Sequence, residues 1–437
     1  MKIHFIGIGG IGISGLAQYM KHKGHEVSGS DIKGSVITKK LEKLGINITI
    51  PHSADSITDH DLVIHSAIIH PDNPEIISAK AKGIEVLARR EALLKILDDK
   101  KVYSVAGAHG KSTTTAILAS IMQGSAIIGA ESKEFGSNVR YDDSNNVMLF
   151  EADESDGSFL NSNPYCAIVT NAEPEHMEYY DYNYDRFYEY YKTFIKSATC
   201  RVLNAEDPFL QTMKDEIDAK WLYPSKDIKN IQYILINDEP HTRFELKDLG
   251  RFEVWGFGQH IAIDASLAIL AASDSMDIDE IRENILNFKG IKKRFDIVGF
   301  ENDRVIIDDY GHHPTEIKAT FESVKEYAQL KGFDKITAIW QPHKYSRTID
   351  NLEAFIKCFE GAKELIILPV WAAGESPREI DFKDKFKNYN LTMADNIKRA
   401  NNQITILKDH KKLKTIDEGL IIGFGAGDIT YQIRGIA

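Results

Sequence analysis

Apolar runs of strand length alternate along this chain with longer amphipathic stretches, a pattern that predicts parallel strands linked by helices. The first cycle runs from a strand over Ile3 to Ile8, through a Gly-rich turn, into the helix-patterned SGLAQYMKHKG and a strand in EVSGSD. A further helix and a strand over Leu62 to Ser66 complete a doubly wound α/β start. The alternation restarts with a strand over Lys101 to Ala106, centred on the apolar run Val102 to Val105, and AGAHGKSTTT then opens a helix-like segment, Ala116 to Met122. Strands over Val147 to Phe150 and Ala167 to Thr170 run into the polar clusters EADESD and NAEPEHMEYY. From Val305 a third unit reads strand VIIDDY, turn GHHPTE, helix IKATFESVKEYAQLKG, strand KITAIW and loop QPHKYSRT, and GLIIGFGAGDIT is a late strand entering a Gly-rich turn.

The length of 437 residues exceeds what one core organises, and three domains are expected. Composition adds an ordinary globular balance, 43% apolar and 27% charged, without low-complexity tracts or blocks of like charge. No apolar stretch approaches the roughly 20 residues of a membrane span, and the first residues lack a signal-peptide layout, so a cytoplasmic protein without membrane insertion is expected. The net charge of −12 argues against nucleic acid as a partner. Cys166, Cys200 and Cys358 are scattered, which argues against a disulfide framework or a zinc site and suggests small core residues. Seven tyrosines and two phenylalanines crowd Tyr179 to Phe194, and their acidic interleaving suits an aromatic-packed helix and loop better than base stacking.

The candidate chemistry sits where strands end. Ala106 to Thr115 has the grammar of a phosphate loop: glycines allow close backbone approach, N–H groups at a helix start face an anion, Lys111 adds charge and Ser112 can ligate Mg²⁺. The spacing is unusual, because Val105 stands where the standard loop has its first glycine, and His109 lies inside it. Gly7, Gly9 and Gly12 fit G-x-G-x-x-G, with Asp31 about 20 residues on, a pattern that serves NAD, FAD or a UDP-sugar equally. Glu151, Asp153, Glu154 and His176 end strands of the second unit and are expected to face the same crevice as Lys111, where a carboxylate would hold Mg²⁺. Asp156 and Glu175 serve equally well as helix caps. In the third unit, Asp308, Asp309, His312 and His313 suit a metal cluster less well than a turn that, with His343, Lys344 and Arg347, binds a carboxylate and positions an amine.

Taken in order, HFIGIGGIGISGLA with GSD, HSAI before DNPE, AGAHGKSTTT, EADESDGSF, TNAEPEHM, DDYGHHPTEI, QPHKYSRT, AAGE and GAGDI span nearly the whole chain. They resemble the Mur ligases of peptidoglycan synthesis, most closely the branch that joins L-alanine to UDP-N-acetylmuramate. The resemblance implies a Rossmann-like UDP-sugar domain over 1–98, a central P-loop ATPase-like parallel-sheet domain over 99–293, and a carboxy-terminal Rossmann-like domain over 294–437 that closes over the amino acid. It implies ATP and Mg²⁺ alongside the UDP-sugar and L-alanine, an acyl-phosphate intermediate, and either a monomer or a homodimer. Gly107, Ala108, His109, Gly110, Lys111, Ser112 and Thr113, with His260 and Arg294, would bind ATP; Ser112, Glu151 and His176 would hold metal, and His109 would sit near the transferring phosphoryl group. Gly9, Gly10, Ile11, Gly12, Asp31, Ser66, Ala67, Asn138 and Arg140 would bind the UDP-sugar, with Asn171 in the family's TN segment. Tyr310, His312, His343, Lys344 and Arg347 would surround the amino acid, with Arg347 gripping its carboxylate.

Ile261 and Asp264 replace two asparagines of the family's H-N-x-x-N segment, Lys344 replaces an arginine, and the stretch before Asn138 is short. Three other readings compete. A recycling ligase that adds a whole tripeptide would differ at QPHKYSRT and GAGDIT; an NAD-dependent dehydrogenase leaves Lys111, Glu151 and His176 without a role; and a non-enzymatic ATP switch does not need the carboxy-terminal constellation.

Overall fold

Five parallel strands build the first sheet of the computed structural model, in the order Asn47–Thr49, Glu26–Ser30, Lys2–Ile6, Leu62–His65, Glu85–Ala88. The strand order reverses beside Lys2–Ile6, the point at which open α/β sheets leave a crevice for ligands. The helix Ile11–His22 starts there, with Gly10 as its N-cap and Lys21 and His22 in its last turn, where positive charge suits the helix dipole. A second sheet has seven strands, in the order Lys220–Leu222, Cys200–Asn204, Pro164–Val169, Lys101–Ala106, Val147–Glu151, Ser125–Ile127, Val139–Arg140. Only the last of these pairs antiparallel. Lys101–Ala106 lies between Pro164–Val169 and Val147–Glu151, so the loop that follows it opens at a second reversal of strand order. Residues of both sheets share one core that includes Phe5, Leu16, Tyr19, Met148, Phe150 and Phe159.

The structure describes residues 1–301 and 303–436. They form two compact units, the first made of Met1–Lys229, Glu245–Phe252 and Ile263–Lys289, the second of Asn230–Phe244, Glu253–Ala262 and the residues from Gly290 on. Within the second, Arg304–Asp309, Gly419–Phe424, Ile336–Trp340, Glu364–Ile367 and Leu391–Met393 run parallel in that order, and Asp296–Glu301 adds an antiparallel edge. The helix Pro314–Lys331 packs Ile317, Phe321, Val324 and Tyr327 into the core of this sheet.

Two local expectations shift. The helix after the phosphate loop is Lys111–Ile121, starting five residues earlier than its apolar pattern shows, because Gly110 caps it and the threonine run forms its first turns, the Thr115 hydroxyl donating to the Lys111 carbonyl at 2.8 Å. The aromatic segment folds as the helix Tyr184–Ser197, which buries Phe187, Tyr191, Phe194 and Ile195. Tyr180 packs edge-on against Phe187, so these rings form core rather than a stacking surface. Among the described residues, no helix is long and apolar enough to cross a membrane.

Candidate active site

Gly107 and Gly110 adopt φ of 140° and 83°, and both are tightly enclosed. A Cβ at Gly107 would lie 2.1 Å from Thr170 Oγ1, and one at Gly110 would lie 2.5 Å from Asp264 Oδ1. Only glycine fits positions that combine this backbone with this crowding. The loop is shaped by the neighbouring strand end: Asn171 Oδ1 accepts from the His109 N–H at 3.1 Å, and Asn171 Nδ2 donates to the His109 carbonyl at 2.9 Å. Thr170 donates to the same carbonyl at 2.5 Å. The His109 ring points to Glu173, with Nε2 at 3.0 Å from its carboxylate. Gly110 caps the helix, so Lys111, Ser112 and Thr113 form its first turn and their N–H groups supply the anion-facing end.

Lys111 donates to Glu154 Oε1 at 2.9 Å, to the Ala108 carbonyl at 3.2 Å and to the Gly107 carbonyl. Burial opposes its charge, but Glu154 and Glu151 outweigh that and hold the ammonium above its ordinary range. Glu154 is 2% exposed, and burial pushes its carboxyl up to about 7 against the pull of Lys111. Ser112 Oγ donates to Glu151 Oε1 at 2.9 Å, and Gly129 N–H donates to the other oxygen at 2.6 Å. This hydroxyl and carboxylate are hard oxygen donors at the start of a phosphate-loop helix, and as a pair they suit Mg²⁺. His176 lies on the NAEPEH segment with a left-handed φ of 53°, its carbonyl accepting from the Tyr179 N–H.

The first sheet supplies a second anion-facing turn. Gly9 N–H donates to Asp31 Oδ2 at 2.8 Å, Gly10 caps the helix, and Ile11 and Gly12 form its first turn. A Cβ at Gly12 would lie 2.2 Å from Nη1 of Arg89, so its glycine admits a guanidinium. Arg89 in turn binds Asp153 at 3.0 Å, Asp156 at 2.9 Å and Ser158 Oγ at 2.8 Å, tying this turn to the EADESD loop. Burial of Asp153 is overcome mainly by Arg89, and its carboxyl falls to about 2. Ser66 N–H donates to the Ile6 carbonyl at 3.0 Å, and Ala67 beside it is exposed.

Two residues expected at the sugar, Asn138 and Arg140, have partners within the fold. Arg140 donates from all three nitrogens to the carbonyls of Gly124, Ala119 and Met122, which closes the carboxyl end of the phosphate-loop helix. These three bonds give Arg140 a structural role at the end of that helix. Asn138, 8% exposed, accepts from Gln18 Nε2 at 3.0 Å and so links the first helix to the second sheet.

The second unit gathers its own cluster. Arg294 pairs with Glu316 at 2.9 Å and stacks over the Tyr310 ring, whose edge meets His312; His312 meets His343 in the same fashion. Arg347 Nη1 lies 3.1 Å from His343 Nδ1, and Lys344 caps the short helix Tyr345–Asp350 with φ of 67°. Glu375 holds that helix by accepting from Ser346 N–H at 3.0 Å and Ser346 Oγ at 2.5 Å. Burial, then His312 and Arg347, lowers His343 to about 4; burial and Arg294 do the same to His260. Ile261 is buried, and a Cβ at Gly256 would lie 3.3 Å from it.

The Mur ligase family, catalytic domain, matches residues 2–101; the Mur ligase middle domain matches 105–272; and the Mur ligase, glutamate ligase domain, matches 293–419. The chain belongs to the Mur ligase family. Among individual Mur ligases, it is 55% identical to the UDP-N-acetylmuramate--L-alanine ligase of Campylobacter curvus, over 99% of both chains. It is 56% identical to the Helicobacter pylori ligase of the same name, over 99% of this chain and 96% of that one. The crystal structure of the UDP-N-acetylmuramate-alanine ligase of Thermotoga maritima superimposes with a TM-score of 0.82 at 27% identity, covering 100% of this chain and 98% of that one.

Two residues of this Mur ligase come to the site only through the fold: Arg89, in none of the quoted motifs, and Glu375, the last residue of AAGE. Arg89 stands in an ordinary helix pattern and Glu375 in a loop, and only the fold brings each to its partners.

Proposed function

We propose that the chain joins L-alanine to the lactyl carboxylate of UDP-N-acetylmuramate at the expense of ATP, a step of peptidoglycan precursor synthesis. Full-length identity of 55% to a ligase of that name carries the reading. A carboxylate acylates poorly, because its leaving group would be oxide. Transfer of the γ-phosphoryl group of ATP to a carboxylate oxygen makes an acyl phosphate, and the alanine amine then attacks the carbonyl carbon. Phosphate departs with the carboxylate oxygen, and the amine loses a proton as the amide forms.

In this reading, the N–H groups of Gly107 to Thr113 receive the ATP phosphates, and Lys111 leaves Glu154 to neutralise the charge that develops during transfer. Ser112 and Glu151 would hold Mg²⁺ and His176 would ligate a further ion; when bound, the metal would neutralise charge on the phosphates. His109, oriented by Glu173, stands in the loop on the phosphoryl side. The turn Gly9, Gly10, Ile11 and Gly12 takes the UDP diphosphate, with the N–H groups of Ile11 and Gly12 at the helix start facing it while the Gly9 N–H stays on Asp31, and Asp31, Ser66 and Ala67 lie on the uridine side. Tyr310, His312, His343, Lys344 and Arg347 receive the amino acid, Arg347 pairing with its carboxylate, while His260 and Arg294 serve the nucleotide. The three domains over 1–98, 99–293 and 294–437 and a cytoplasmic location belong to the same proposal.

The test is phosphate release from MgATP and UDP-N-acetylmuramate with L-alanine, glycine, L-serine or the tripeptide. Release that requires the muramate and is fastest with L-alanine supports the reading; release indifferent to the muramate, or product with the tripeptide alone, refutes it.

A further inference from the structure

The seven-stranded sheet sets two cysteines side by side. Cys166 lies on Pro164–Val169 and Cys200 opens Cys200–Asn204; the strands run parallel, and these residues are Cα partners in register. Partners in register on parallel strands direct their side chains to the same face. The Cys166 thiol donates to Cys200 Sγ at 2.7 Å, and both cysteines are free. Neighbouring strands stand about 4.8 Å apart, within the Cα separation that a disulfide spans. Cys200 begins its strand, at the amino ends of the parallel strands and so opposite the carboxyl ends that carry the phosphate loop.

The two thiols are unequal. Cys166 is fully buried, whereas Cys200 keeps partial exposure. The hydrogen bond from Cys166 favours the Cys200 thiolate against its burial, and Lys220 and Lys101 add to that while Asp274 opposes it. The same bond, with burial, holds Cys166 protonated.

We propose that Cys166 and Cys200 form a peroxide-oxidisable dithiol, a reversible modification site in which Cys200 attacks the oxidant and Cys166 resolves the product. Cys200 thiolate attacks one oxygen of hydrogen peroxide, the O–O bond breaks, and the departing hydroxide takes a proton to become water, leaving Cys200 as sulfenic acid. Cys166 sulfur then attacks the sulfenic sulfur; its thiol proton leaves with the hydroxyl as a second water, and the S–S bond forms. Two thiols give up two electrons and the peroxide accepts them.

The test treats the full chain with hydrogen peroxide, blocks remaining thiols with N-ethylmaleimide and digests without reductant. The expected result is a linked peptide containing Cys166 and Cys200, lighter than its reduced parts by two hydrogen atoms and separated again by dithiothreitol. Thiol titration in denaturant should fall from three groups to one, Cys358. In Cys166→Ser, Cys200 should stop at sulfenic acid and be trapped by dimedone; in Cys200→Ser, Cys166 should stay unmodified. Three titratable thiols after peroxide, or Cys200 driven to sulfinic acid without a linked peptide, would overturn the proposal.

Discussion

Lys111 has two kinds of partner available to it, and the resting structure shows one of them. It is held by Glu154 and by two carbonyls of its own loop, so nucleotide phosphates must replace those acceptors when ATP binds. Lys111→Ala should lower kcat/KM on the order of 10³-fold or more while the protein stays folded, measured by phosphate release and circular dichroism. Ser112→Ala and Glu151→Gln should each raise the Mg²⁺ concentration needed for half-maximal rate, read from a metal titration. His343 gives a pH test. Its folded value, about 4, lies below its ordinary 6.5, so it contributes stability that is present above pH 6.5 and is lost as pH falls through 4. The stability of the natural protein relative to His343→Asn should therefore be greater at pH 7.5 than at pH 5, as measured by urea unfolding at each pH.

At the scale of elements, the phosphate-loop helix is held at both ends. Asn171 and Thr170 fix the loop before it, and Arg140 closes its last carbonyls. Arg140→Ala removes three charge-assisted bonds and should cost roughly 2–4 kcal/mol of stability. The KM for UDP-N-acetylmuramate should stay unchanged in the folded fraction, whereas a residue that grips the sugar would raise it. The strand-to-turn grammar at Gly7–Gly12 and Gly107–Gly110 was legible because each depends on neighbours in sequence. The contact of Arg140 with the helix end was not, since nothing local shows that this side chain reaches back some 20 residues. Arg89, the partner of Glu375 and the Cys166–Cys200 pairing were hidden for the same reason: strand order and register, which sequence spacing does not display, bring these groups together.

For the whole molecule, the sheets place the glycine turns at reversals of strand order, where open α/β sheets leave room for ligands. The α/β class and the order of its segments were readable because nine motifs recur in one sequence of strand ends. The division into two compact units was not, because the first unit also takes up Glu245–Phe252 and Ile263–Lys289 through contacts remote in sequence. The central claim is that ATP activates the lactyl carboxylate for attack by alanine. The most direct measurement uses UDP-N-acetylmuramate labelled with ¹⁸O in that carboxylate, with MgATP and L-alanine, and follows both products by mass spectrometry. One labelled oxygen in the released phosphate and a nucleotide product heavier by one alanyl residue are expected; unlabelled phosphate, or no alanyl product, would contradict activation of the carboxylate by ATP.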